Sequence, residues 1–218
     1  MNKSNKLEKI SSYGVFFVLI GILILFSFIA PHFLELNNFF NVARQICTLG
    51  IVAVGMTIVM ITGGIDLSVG YQISLINVSC AWLMVNMGIG TVTAILVGLL
   101  IGTGIGFLNG VIIVKSGVAP LIVTLAVMNM LNGISYIISK GIPIFGFPKN
   151  FSILGQGNIF GIPISLFVMA FIFILGSILL KRVYIGKYFY AIGSNEEAAK
   201  LSGINVGGLK ILAYTICG

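Results

Sequence analysis

Long uninterrupted apolar segments are the feature that most constrains how this chain can fold. Residues 13–30 and 91–114 contain no charged residue, and only 8% of the whole chain is charged. A helix needs roughly 20 apolar residues to cross the hydrocarbon core of a bilayer. Lipid offers no partners for backbone polar groups, so a spanning segment must be a helix or part of a closed barrel. Continuous rather than alternating hydrophobicity excludes the barrel. The sequence therefore predicts an all-α, polytopic transmembrane helix bundle.

The apolar segments predict six complete spans and the start of a seventh. The six cover residues 13–30, 45–62, 67–86, 91–114, 118–139 and 162–180, and the seventh begins near residue 207. Residues 31–44 are expected to form a polar connection, and residues 140–161, rich in Gly, Pro and Asn, a loop. The seventh segment has no basic flank before the last residue, so we expect a single membrane domain over residues 1–218 that is incomplete at its C-terminus.

The basic residues predict the orientation of these spans. Eight fall on one side: Lys3, Lys6, Lys9, Lys115, Lys181, Arg182, Lys187 and Lys200. Arg44, Lys140 and Lys149 fall on the other, and Lys210 begins the seventh segment. Basic residues are enriched in cytoplasmic loops, so we expect a cytoplasmic N-terminus. The net charge of +7 then reflects topology and contact with anionic headgroups rather than nucleic acid.

A glycine-rich break separates the second and third spans. It contains Gly63, Gly64, Asp66, Ser68 and Gly70. A carboxylate at the centre of a bilayer costs about 2.5–3.5 kcal/mol, so these residues are expected to form a break between helices. The predicted topology places this break near the cytoplasmic side. Asp66 can cap the third helix by accepting from the backbone N–H of residue 68 or 69. A plain capping role and a direct role in gating or solute passage both stay open.

Small residues recur at every fourth position of the fourth span, a spacing that lets two helix backbones approach closely in lipid. They are Gly90, Ala94, Gly98, Gly102, Gly106 and Gly110. We therefore expect tight packing of this helix against a neighbour.

Polar side chains recur on one face of the third span and one of the fifth. Amides do not face lipid cheaply, so they either join helices by hydrogen bonds or line a polar path. The candidate path-lining residues are Gln72, Ser79, Thr124, Asn129 and Asn132. Both interpretations stay open.

A short helix is predicted in the loop after the sixth span. Ser194 and Glu197 have the spacing of a capping box, and Glu196 and Glu197 suit the first helical turn. Gly203 is placed to end the helix. The product is about two turns with Ala198, Ala199 and Leu201 exposed, which suits docking to a partner. A simple interfacial helix is the alternative.

Residues 56–70 and 193–206 resemble two signature segments of ribose-type sugar ABC transporter permeases, in the family of binding-protein-dependent inner membrane components. The resemblance implies a bacterial plasma membrane subunit that pairs with a second permease copy, identical or not. It also implies two cytoplasmic ABC ATPases and an extracytoplasmic sugar-binding protein. Residues 183–206 would be the coupling segment, in which Glu196, Glu197, Ala198, Ala199 and Gly203 would contact the ATPase.

The sequence also limits the alternative functions. No phosphate-binding glycine-rich loop is present, so ATP hydrolysis is assigned to a partner, and the chain is expected to be no enzyme and to hold no cofactor. Cys47, Cys80 and Cys217 lack metal-ligand spacing. An ABC permease for amino acids is one alternative. A secondary transporter, for which Asp66 is the sole candidate coupling group, is another.

Overall fold

Helices account for nearly all regular structure in the computed structural model, which describes residues 3–218, with side chains from Tyr13 onward except those of Lys149 and Leu154. The helices are α1 (Lys3–Ile29), α2 (Leu36–Ile61), α3 (Val69–Asn86), α4 (Thr91–Ser116), α5 (Pro120–Ser139), α6 (Lys149–Gln156), α7 (Ile164–Arg182), α8 (Tyr184–Ser194), α9 (Glu196–Leu201) and α10 (Val206–Cys217). The all-α prediction is confirmed.

Four helices of the described chain are long and apolar enough to cross a membrane. They are α2, α4, α5 and α7. Two shorter apolar helices are α10 and Tyr13–Ile29, the part of α1 whose side chains are described. Helix α3 is less apolar because it carries Gln72, Asn77 and Asn86 within 18 residues. The helices lie close to the predicted segments, so apolar length alone located them.

Two predicted connections contain regular structure. Helix α2 begins at Leu36, inside the segment predicted to be a polar connection. The predicted loop 140–161 holds α6 and a hairpin of β1 (Asn158–Ile159) and β2 (Ile162–Pro163). Both turn residues, Phe160 and Gly161, have positive φ, which is typical of the tightest hairpin turns. Polar composition marked these segments as outside the apolar spans but did not exclude short helices or strands.

The chain divides into two compact units, one up to Ala43 and one over Arg44–Gly218. In the second unit, α4 packs against α10 and α3, and α3 also packs against α5. The buried side chains of Ile58, Val59, Phe189 and Tyr214 form the main apolar cluster of this unit.

The small residues of α4 determine which helices pack against it. A Cβ on Gly98 would meet Ile76 and Cys80 of α3. A Cβ on Gly106 or Gly110 would meet the backbone of α10. The predicted close packing is therefore confirmed, and the row of small residues turns from one neighbour to the other along the helix.

Candidate functional site

The glycine-rich turn between α2 and α3 is organised around the buried carboxylate of Asp66. This side chain is fully buried, and its Oδ1 accepts the backbone N–H of Ser68 at 2.9 Å and the Ser68 hydroxyl at 2.6 Å. The predicted hydrogen bond from the Ser68 N–H to Asp66 is present, but Ser68 itself is the N-cap residue of α3 and no side chain caps this helix. A carboxylate that accepts two short hydrogen bonds in a dry environment is a rigid anchor.

Three further polar contacts extend this anchor to α3 and α4. The Gln72 amide donates to the Ser68 hydroxyl oxygen at 2.8 Å. The buried Asn109 amide donates to the same oxygen at 2.9 Å and to Asp66 Oδ2 at 3.3 Å. Asn109 Oδ1 is buried without a hydrogen-bond partner. We refer to Asp66, Ser68, Gln72 and Asn109 as the turn network. The sequence analysis did not single out Asn109. The available signal was an amide side chain within an otherwise apolar span.

Glycines let α10 lie directly against the turn. Gly63 has a φ of +81°, a conformation that other residues adopt only with strain. A Cβ on Gly64 would collide with the hydroxyl of Tyr214, and that hydroxyl donates to the Ile65 carbonyl oxygen at 3.4 Å. Gly70 is exposed and has open space around it, so it does not belong to the turn network.

The five candidate path-lining residues do not converge on one site. Gln72 belongs to the turn network, and Ser79 and Thr124 are buried, with the Thr124 hydroxyl donating to the Pro120 carbonyl oxygen. Asn129 is exposed and donates to the carbonyl oxygen of Leu125 in its own helix. Asn132 lines a cavity between α3 and α5. The spacing of polar residues in the sequence did not distinguish side chains that bond to their own helix from side chains that line a cavity.

The short helix predicted after the sixth span is present as α9, but its cap differs from the prediction. Ser194 is the last residue of α8, and the Asn195 side chain caps α9 by accepting the backbone N–H of Ala198 at 3.0 Å. The predicted Ser194–Glu197 capping box is wrong, because a preceding helix uses Ser194 and extended backbone at Asn195 places its oxygen at the helix start. Gly203, at a φ of +79°, follows the helix as predicted.

An ion pair between Glu196 and Lys210 connects α9 to α10. The Glu196 carboxylate lies 2.6 Å from the Lys210 ammonium and 3.0 Å from the Lys200 ammonium. Hydrogen bonds from Lys210 and then Lys200 lower the pKa of Glu196, and the same contact with Glu196 raises the pKa of Lys200. Glu196 therefore connects the small helix to its own chain rather than facing outward alone.

The exposed face of α9 is smaller than predicted. Ala199 is buried against Ile192 and Val206, so the expectation that it is exposed is wrong. Glu197 and Ala198 are exposed, and Leu201 keeps 90% of its surface exposed. A helix of two turns buries one face on its own chain, which the sequence pattern of α9 alone did not reveal.

Helix α8 was missed at the sequence level, although it positions α9. Its apolar residues Ile185, Phe189 and Ile192 recur at helical spacing, which was the available signal. Near its end, a Cβ on Gly193 would collide with the carbonyl oxygen of Ile61, the last residue of α2. The end of α8 therefore lies backbone against backbone on α2, the helix that leads into the turn.

Comparison with known proteins places the turn and α9 within one family domain. Residues 38–218 match the family described as branched-chain amino acid transport system, permease component. The chain belongs to this permease family. The permease is 37% identical over 207 residues to the ribose import permease protein of Escherichia coli strain K12, covering 92% of this chain and 64% of the relative.

Two further relatives extend this similarity. The ribose import permease protein of Bacillus subtilis strain 168 is 40% identical, over 94% of this chain and 64% of the relative. The galactose/methyl galactoside import permease protein of Escherichia coli strain K12 is 34% identical, over 100% of this chain and 70% of the relative. The permease thus spans 64% of the length of the ribose import permeases. No solved structure matches the chain.

Proposed function

We propose that this permease is the membrane-spanning subunit of an ATP-driven importer of a simple sugar, ribose or a similar one. The relatives named above are import permeases for ribose and for galactose, which favours the sugar class over amino acids. The permease forms the translocation path in the plasma membrane of a bacterium. It hydrolyses no ATP itself, because that step belongs to a partner.

The proposed topology has six complete spans, formed by α1 to α5 and α7, and the start of a seventh in α10. Helix α3 counts as a span because its buried polar groups Gln72 and Ser79 face protein rather than lipid. The excess of basic residues on one side supports a cytoplasmic N-terminus. The same orientation puts α8 and α9 in the cytoplasm and the hairpin turn at Phe160 outside.

The exposed face of α9 supports docking to an ABC ATPase through the coupling segment 183–206. Leu201 is almost fully exposed on a helix that lies outside the apolar spans, beside exposed Glu197 and Ala198. An apolar side chain next to a carboxylate on a rigid helix suits insertion into a groove of a partner. This exposed face is the observation that carries the proposal.

Three contacts give the docked helix a route into the membrane domain. Gly193 lies against the Ile61 carbonyl at the end of α2, and Glu196 pairs with Lys210 of α10. Tyr214 of α10 donates to Ile65 in the glycine-rich turn. We propose that movement of α9 is passed to α2 and α10 together, and that the turn network keeps α3 and α4 in step with them.

A complete importer on this proposal contains two permease subunits, two ATPases and an extracytoplasmic sugar-binding protein. The second permease copy is included because residues 56–70 and 193–206 resemble signature segments of permeases that act as pairs. The two copies are identical or closely related chains.

Co-purification with the ATPase tests the docking proposal. We expect Leu201→Ser and Glu197→Lys each to reduce the ATPase recovered with the tagged permease at least fivefold. Phe160→Ser is the matched control, because Phe160 is also fully exposed but lies at the hairpin turn. Unchanged recovery with both α9 variants, or an equal loss with Phe160→Ser, contradicts the docking proposal.

ATP-driven uptake tests the function itself. Proteoliposomes that hold the permease, its ATPase and the binding protein are expected to accumulate labelled ribose or galactose. This accumulation should require ATP on the side of the membrane where the ATPase lies. Accumulation of leucine instead, or sugar uptake driven by an ion gradient without ATPase, contradicts the proposed function.

A further inference from the structure

A cavity of about 440 Å³ lies between α3 and α5 and is closed on one side by the chain that follows α5. Its polar lining consists of Ser74, Asn77, Asn132, Ser135, Tyr136 and Ser139. Small-molecule sites in proteins span about 300–1,000 Å³, so this cavity has room for one small ligand.

Two amides in this cavity have unused hydrogen-bonding capacity. Within the described chain, no side chain or backbone group is hydrogen-bonded to the amide of Asn77 or Asn132. Asn129, one turn before Asn132, instead donates to its own helix. An amide that is neither bonded to its helix nor paired across helices is costly against lipid. These two side chains therefore face water or a solute.

The lining indicates the charge of the ligand. None of the described residues that line the cavity is charged. Lys140, the neighbour of Ser139 in the chain, lines a separate cavity with Trp82 and Val97. An amino acid carries a carboxylate and an ammonium, which are bound tightly by charged partners or helix ends. Amides and hydroxyls, which both donate and accept, match a neutral ligand with many hydroxyls.

Aromatic rings complete the match. Tyr136 and Phe147 line the same cavity, and Phe147 stacks on Phe151 with ring centroids 5.6 Å apart. A monosaccharide presents hydroxyls around its rim and C–H groups on its faces. Polar groups on α3 and α5 with aromatic rings beside them offer partners to both parts of such a molecule.

We propose that this cavity is a binding site for a neutral monosaccharide on the transport path, held mainly by the amides of Asn77 and Asn132. The proposal deepens the proposed function and rests on it, since it places the solute on this chain and specifies a neutral polyhydroxylated class. The uncharged lining of the cavity agrees with a sugar rather than an amino acid.

Cysteine modification in the assembled transporter tests the site. Asn77→Cys and Asn132→Cys are treated with a charged, membrane-impermeant methanethiosulfonate, and the unmodified protein gives the background from the native cysteines, of which Cys47 and Cys80 are buried. We expect modification at least tenfold faster than at Leu99→Cys, on an exposed apolar position of α4. Saturating ribose or galactose is expected to slow it at least threefold, and leucine at the same concentration to leave it unchanged.

Three results overturn the proposal: modification no faster than at Leu99→Cys, no protection by either sugar, or equal protection by leucine. Sugar uptake by the unmodified transporter is measured in parallel. If that uptake is absent, the proposed function fails. If uptake is present without protection, only the placement of the sugar fails.

Alanine variants give a second readout that does not depend on labelling. Asn77→Ala and Asn132→Ala are each expected to raise the KM for sugar uptake about tenfold while the ATPase still co-purifies, which shows that the fold is kept. Leu99→Ala is expected to leave KM unchanged. An unaltered KM in both asparagine variants contradicts the site.

Discussion

The contact of α4 with α10 makes a sharp prediction for Gly110→Ala. A Cβ at this position would lie 2.7 Å from the Ile211 Cα and 3.1 Å from the Ile211 carbonyl oxygen. Both neighbours are backbone atoms, so no side chain can turn aside and the two helices must separate. Overpacking of this kind costs about 1–3 kcal/mol, and the replacement of glycine by alanine in a helix offsets about 1 kcal/mol of that cost.

The expected net loss is up to about 2 kcal/mol, which corresponds to a fall in Tm of up to roughly 8 °C for a chain of this size. The buried thiols of Cys47 and Cys80 provide the assay, because a thiol-reactive dye labels them as the detergent-solubilised protein unfolds on heating.

Gly104→Ala is the matched control for this prediction. Gly104 lies in the same helix, and a Cβ there would meet nothing within 4 Å. Its Tm is expected to stay constant or rise, because only the helix propensity changes. Equal Tm values for the two variants, or a larger loss for Gly104→Ala, would refute the close approach of α4 and α10.

Three further predictions concern α9 and the glycine-rich turn. Asn195→Ala is expected to lower amide-exchange protection in α9 by about 1 kcal/mol through loss of the cap, and Ser194→Ala is expected to have a smaller effect. A larger effect of Ser194→Ala would favour the Ser194–Glu197 capping box instead. Because hydrogen bonds from Lys210 and Lys200 lower the pKa of Glu196, its carboxylate stabilises α9 by at most about 1 kcal/mol. This stabilisation is fully present above the usual Glu pKa of about 4.3 and is lost as the pH falls through the lower pKa of the folded state. Glu196→Gln should remove this dependence of the protection factors on pH, and a retained dependence would assign it to another group. Asn109→Leu removes a hydrogen-bond donor from the buried carboxylate of Asp66, which costs about 1–3 kcal/mol and should lower the Tm. A Tm equal to that of the unmodified protein would show that this hydrogen bond is not formed.

Apolar length located the long helices because a span needs little more than an unbroken run of apolar residues. It gave no information on helices whose stability comes from contacts far along the chain. Helix α8 is an example: its apolar face packs on residues of α2 and α10, and its end meets the Ile61 carbonyl. Tertiary packing of an amphipathic face stabilises such a helix, and only the three-dimensional structure shows what covers that face.

The turn network illustrates a similar limit at the site. Asp66 and Ser68 are two residues apart, and their hydrogen bond was predictable from local geometry. Asn109 reaches them from 41 residues beyond Ser68, so its contact depends on how α4 packs. The amides of α5 present the same difficulty. Asn129 and Asn132 look alike in the sequence, but Asn129 is bonded to its own helix and Asn132 lines the cavity.

The backbone contact between Gly193 and Ile61 has a consequence for how such a transporter can change its partner. On the proposed function, the surface that docks to the ATPase consists of side chains at Glu197, Ala198 and Leu201, whereas the contact with α2 involves a glycine and a carbonyl. Substitutions on the recognition surface leave the carbonyl contact intact. On this proposal, specificity for an ATPase can change between lineages, or be redesigned, without altering the backbone contact between Gly193 and Ile61.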